Sequence, residues 1–228
     1  MIIFLKKIFL IGDSYGGPRK FPCRTVDLEE TWPALLSNEF GANCEYDFKS
    51  FRCLIECVEI LSKADIRYDV VVIGAGIVDI FPRTLPYHLS RSQNILLKIF
   101  RVFVRSTRGW WIKYIYWKPW FSYSNLEFAI IEALVSCENL ILLTVPQLAE
   151  KHAEKNPDAQ EILNAFNSFI MTKEYEFPGK IHCLDAASII KKAGLNSCLD
   201  PNDSHYTARG NSTIAEALKP LISKIIDE

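Results

Sequence analysis

A hydroxyl and an imidazole are the two groups in this sequence whose settings suggest chemistry. Ser14 closes Gly12-Asp13-Ser14, reached directly from the apolar run Ile8-Phe9-Leu10-Ile11. A short apolar run that closes on glycine reads as a buried strand ending in a tight turn. His205, one of four histidines, stands in Asn202-Asp203-Ser204-His205-Tyr206-Thr207, with carboxylates close by at Asp203 and Asp200. A serine hydroxyl is a poor nucleophile until a base takes its proton. The base in turn needs an acceptor that fixes its tautomer and stabilises its cation. Developing negative charge needs donors, for which the turn amides around Ser14 and Gly76 are placed. His88, His152 and His182 show no ligand spacing, and Asp13 and Asp79 read as carboxylates that bond loop amides. Neither a metal nor a cofactor is expected.

The elements that must position these groups are legible as strands and helices in alternation. Val70-Val71-Val72-Ile73 is continuously apolar and β-branched, as a parallel strand covered on both faces should be, and ends in Gly74-Ala75-Gly76. Leu140 to Val145 is a second such strand, stopped by Pro146. Cys44 to Phe48 and Ile181 to Ala186 are weaker strand candidates. Thr31 is placed to cap a helix running through Phe40, with Pro33 in its first turn and Gly41 as its stop. Helical spacing marks a helix over about 53–63, another on Ile162, Leu163, Phe166, Phe169 and Ile170, and a C-terminal one on Ile214, Leu218, Leu221 and Ile225, kinked at Pro220. The stretch from Tyr15 to Lys20 reads as an irregular loop. This alternation implies an α/β fold, a three-layer sandwich around a parallel sheet of about five strands. With strand order 2-1-3-4-5, the order reverses between the strands that end at Gly12 and Gly74, and ligands sit at such a switch point.

Composition narrows the class. The chain has 228 residues, 49% of them apolar and 23% charged, which fits a single α/β domain (1–228) with an insertion at about 83–125. A net charge of −1 argues against a protein that wraps nucleic acid. Seven scattered cysteines, with no Cys-x2-Cys pair, suggest reduced thiols and a cytoplasmic setting. The start of the chain has two lysines and some apolar residues, but no small-residue cleavage site follows.

Taken together, Gly12-Asp13-Ser14, Gly76-Ile77-Val78-Asp79 and Asp203-Ser204-His205 resemble the motif blocks of the SGNH/GDSL hydrolase superfamily, in order and over nearly the whole chain. The resemblance implies that Ser14 is the nucleophile and His205 the general base. It further implies ester chemistry through an acyl-serine, with O-acylated (O-acetyl) carbohydrate as the expected substrate class and transfer to a sugar hydroxyl as the alternative. A catalytically weakened relative that binds a glycan, a membrane surface or a partner is the contrasting expectation. Three departures stand out. Val78 occupies the place of an asparagine that donates to the oxyanion in the family. No glycine occurs in Asp47 to Arg52, where the second block has one, and Asn202 stands where the acid is expected, three residues before His205. Asp203 or Asp200 is therefore the candidate acid, with Asn202 as the alternative at the family position. Arg52 and Arg83 are candidate replacements for the lost oxyanion donors.

The insertion has its own chemistry. Between Asp79 and Glu127 there is no acidic residue, yet there are eight Arg or Lys and four of the five tryptophans. Lys98, Arg101 and Arg105 fall on one stripe of a helix that is otherwise apolar, which suits deep packing or a membrane interface. Trp110, Trp111, Trp117 and Trp120 suit an interface anchor, a sugar-stacking platform or a small core of the insertion itself. The expected partners are thus a small-molecule or glycan ester and, through residues 91–121, an anionic ligand or a peripheral membrane contact, with no nucleic acid.

Overall fold

The computed structural model describes residues 6–20, 25–80, 94–106, 120–154 and 159–228. Five strands, β1 (Ile8–Gly12), β2 (Cys44–Phe48), β3 (Tyr68–Gly74), β4 (Cys137–Leu143) and β5 (Ile181–Leu184), form one parallel sheet in the order β2-β1-β3-β4-β5. Successive strand side chains face opposite sides of the sheet, and the core divides accordingly. Phe9, Ile11, Val71, Ile73, Leu140 and Leu142 pack with Leu54, Val58 and Leu61 of the helix Leu54–Lys63, and with the helices Tyr123–Ala133 and Ala159–Glu176. Ile8, Leu10, Val70, Val72, Ile141 and Leu143 pack on the other side with the helices Trp32–Phe40, Ala186–Ala193 and Ala208–Asp227. Each fully buried aliphatic or aromatic side chain here is worth roughly 1.5–3 kcal/mol relative to exposure. The result is the expected three-layer sandwich.

Several elements differ locally from the expectation. Thr31 does not cap its helix through its side chain; its hydroxyl donates instead to the Leu28 carbonyl at 2.7 Å. The orphan amide of Trp32 is met from 179 residues away, by Asn211 Oδ1 at 3.0 Å. The C-terminal helix runs on through Pro220, and β4 and β5 close two residues before their apolar runs do. Ser14–Gly16 is a single 3-10 turn where irregular loop was expected. The helix Ala186–Ala193 was not read from the sequence; Asp185 caps it through Ser188 N at 3.0 Å.

At the switch point Gly12 has no space for a side chain. Gly12 and Gly74 are opposite each other in the β1–β3 register, and a Cβ on Gly12 would lie 2.4 Å from the Gly74 carbonyl oxygen. Backbone cannot yield as a side chain can. Gly12→Ala is therefore expected to cost about 1–3 kcal/mol of stability, read as a lower urea midpoint. Gly17→Ala, where the nearest atom would be 3.8 Å away, should leave that midpoint nearly unchanged.

Candidate active site

β1 ends between two neighbours, and its turn is tied to both. Lys49 N donates to the Gly12 carbonyl at 3.2 Å, and Asp13 N donates to the Gly74 carbonyl at 3.1 Å. Asp13, 1% exposed, then accepts the Tyr15 amide at 2.9 Å, which fixes the turn that carries Ser14. The last strand–helix connection brings in the imidazole of His205. Leu199 and Tyr206 form an isolated antiparallel bridge, and Asp200 N donates to the His205 carbonyl at 2.8 Å. Between them Ser204 takes a left-handed conformation (φ 64°), and its Oγ accepts the Ala149 amide at 2.7 Å. Thr207 caps the following helix through Gly210 N, and a Cβ on Gly210 would collide with the Cys198 carbonyl.

This framework sets Ser14 Oγ 2.8 Å from His205 Nε2, across 191 residues of sequence. On the far side of the ring, His205 Nδ1 lies 3.2 Å from both the Asp203 carbonyl and Asp203 Oδ1. A proton on Nδ1 facing Asp203 leaves Nε2 as the acceptor for the serine hydroxyl. Two residues that sequence reasoning missed complete the arrangement. Arg19 Nη2 donates to Asp203 Oδ2 at 2.7 Å, held in place by an antiparallel bridge between Arg19 and Val26. Tyr15 stacks on the His205 ring, centroids 4.6 Å apart and planes 23° apart. The aromatic after Ser14 was visible in the sequence; nothing linked Arg19 to a carboxylate 184 residues away.

Electrostatics follow burial. Burial pushes the His205 imidazole below its usual range; the hydrogen bond to Asp203 opposes this and the Arg19 charge adds to it. Burial alone would raise the Asp203 carboxyl, but the His205 hydrogen bond and charge, with Arg19 behind them, hold it below the usual carboxylate range. Asp13 and Asp79 lie deeper. Burial raises each to about 7, partly offset by backbone donors: Tyr15 N to Asp13, and Leu54 N to both Asp79 oxygens at 3.1 and 2.9 Å.

The other sequence candidates fare differently. Asn202 is turned to Asp200, its amide and side chain both donating to Asp200 Oδ1, at 2.8 and 3.2 Å. The proposal of Arg52 as an oxyanion donor is corrected. Its Nη1 donates to the Asp47 carbonyl at 2.6 Å and its Nη2 to both Asp47 carboxylate oxygens. The acid that captures it lies only five residues upstream. Arg83 lies outside the described residues, as do His88 and Trp110, Trp111 and Trp117. Val78, 4% exposed, packs in the core and donates nothing. Gly76 sits at φ 131°, and a Cβ there would overlap the Phe166 ring at 2.1 Å. In the glycine-free second block, Phe51 itself takes the left-handed conformation at φ 62°. Among the described residues no group of three or more His, Cys, Asp or Glu could hold a metal ion.

With this geometry in view, likeness to solved structures becomes informative. A lipolytic protein of the G-D-S-L family from Veillonella parvula superposes with a TM-score of 0.60 at 13% identity, over 96% of this chain and 98% of that one. The fold is that of the SGNH/GDSL hydrolases. The lipase/acylhydrolase from Enterococcus faecalis gives 0.60 at 16% identity over 95% of both chains. An acetylxylan esterase from Geobacillus stearothermophilus gives 0.58 at 14% identity over 93% and 92%. No protein-family model and no curated protein matches the sequence.

The buried carboxyls make a prediction about stability. A folded-state value above the unfolded one means the native state keeps the proton. The Asp79 contribution is therefore fully present below its unfolded value of 3.8 and is lost as pH rises through about 7. The slope it imposes is at most about 1.4 kcal/mol per pH unit. His205, depressed by burial, acts oppositely below its usual value, in wild type and variant alike. Asp79→Asn should thus gain stability relative to wild type between pH 5 and pH 8, measured by urea denaturation at both. Parallel pH curves for the two proteins would count against a protonated Asp79.

Proposed function

We propose that the chain is a divergent SGNH/GDSL serine ester hydrolase acting through an acyl-Ser14 intermediate. The observation that carries this reading is the 2.8 Å contact between Ser14 Oγ and His205 Nε2, with Asp203 on the opposite ring nitrogen. In the acylation step His205 takes the hydroxyl proton as Oγ attacks the ester carbonyl carbon. The tetrahedral oxyanion is met by backbone amides of the Ser14 and Gly76 turns. Collapse expels the alkoxide, which receives the proton from His205. Water then repeats the sequence in reverse, with His205 again as base, and releases the acid. Asp203 supports the imidazolium in both halves, and the Arg19 contact keeps its carboxylate turned toward the ring.

O-acetyl carbohydrate is the substrate class favoured, supported by the likeness to an acetylxylan esterase and by the tryptophan-rich segment before Trp120. A sugar hydroxyl replacing water in the second half-reaction would make the same site a transferase. The loss of the side-chain donor at Val78 favours a slow enzyme, since one missing oxyanion donor costs roughly two to three orders of magnitude.

A fluorophosphonate probe is expected to label the wild type at Ser14 and to leave Ser14→Ala unlabelled, read by intact-protein mass. A wild type that resists the probe, under conditions that label a known serine esterase, would remove the acyl-enzyme. Asp203→Asn should keep the fold and reduce acetyl-ester turnover by roughly three to four orders of magnitude. The same variant should shift His205 protonation to lower pH, followed by ring-nitrogen NMR, because Asp203 raises that value in the wild type.

A further inference from the structure

The chain leaves the sheet's carboxyl edge after Ile80 and returns at Trp120, whose amide donates to the Asp79 carbonyl at 3.1 Å. Both ends of the excursion are therefore anchored beside the third motif block. Within it, the helix Ile95–Ser106 contributes no residue to either core cluster among the described residues. Its apolar side chains face solvent instead: Ile95 is 68% exposed, Leu96 71%, Ile99 62%, Phe100 46% and Val102 69%. In an ideal helix these five positions span about half of the circumference on one side. Lys98, also exposed, lies on the other side with positions 101 and 105.

A 12-residue helix with so divided a surface is too short to cross a bilayer, and no described helix is long and apolar enough to do so. It has the length and pattern to lie in a bilayer's headgroup region, apolar face down. The charge of the sequence around it selects the kind of surface. From Asp79 to Glu127 the sequence carries eight basic and no acidic residues between those two. Such a bias is attracted to anionic lipid and repelled by cationic surfaces. We propose that the helix Ile95–Ser106 is an interfacial anchor that docks the protein on anionic lipid bilayers. This reading concerns binding alone and does not depend on turnover at Ser14.

Flotation of the full-length protein with vesicles tests it. Wild type is expected to float with vesicles of phosphatidylglycerol and phosphatidylcholine, and much less with phosphatidylcholine alone. Leu96→Asp combined with Ile99→Asp should abolish flotation while circular dichroism and thermal midpoint stay at wild-type values. Lys98→Glu, which leaves the apolar face intact, should weaken binding to anionic vesicles roughly tenfold. Failure to float, equal flotation on both vesicle types, or unchanged flotation of the double variant would each overturn the proposal. So would a concentration-dependent dimer, seen by sedimentation, that the same double variant dissolves, because the face would then belong to a second copy of the chain.

Discussion

The close approach of two backbones at the end of β1 governs the rest of the site. Gly12 faces Gly74 with no allowance for a Cβ, and this draws the β1 turn tight against the end of β3. Asp13 is buried as a consequence, and its carboxyl holds the amide of Tyr15. Tyr15 then lies flat on His205. Sheet packing, turn geometry and the orientation of the imidazole are thus one continuous chain of contacts. The cost of burying Asp13 is set by the same close approach that aims Ser14.

The arrangement around His205 answers a problem of spacing. A carboxylate two residues before the histidine has a shorter arc of backbone to work with than one three residues before. Asp203 resolves this by presenting both its carbonyl and its Oδ1 to Nδ1, at equal distances. Its second oxygen is then left facing the loop after Ser14, where Arg19 takes it at 2.7 Å. The cation is needed for position, yet it also disfavours charge on the imidazole. The two effects pull in opposite directions on His205.

How much of this the sequence disclosed depended on the range of the interaction. The sheet was legible because runs such as Val70 to Ile73 carry their burial in every residue, and the expected strand order is the one observed. Ser14 and His205 stood out because glycine turns and scarcity marked them. What was lost was the pairing of distant polar groups. Arg19 with Asp203 and Trp32 with Asn211 join segments whose local sequences give no sign of one another. Arg52 failed for the converse reason: its position beside a motif block suggested a role, while an acid in its own segment had already engaged it. The helix Ala186–Ala193 went unread because Lys191 and Lys192 interrupt a short apolar stripe that only Ala186 and Ile190 bury.

Ser204 illustrates how narrow the choice of side chain becomes where several demands meet. Its backbone conformation favours glycine, asparagine or aspartate. Its full burial leaves no volume for the larger two, and its bond to the Ala149 amide requires an oxygen, which glycine lacks. Serine is the compromise, accepting some backbone strain in return for an anchor to the segment after β4. Mutational tolerance at this loop is thereby smallest at the residue between Asp203 and His205. A library randomised there would return fewer folded variants than its surface neighbours Pro201 and Asn202, because backbone conformation, volume and the hydroxyl bond all constrain one position.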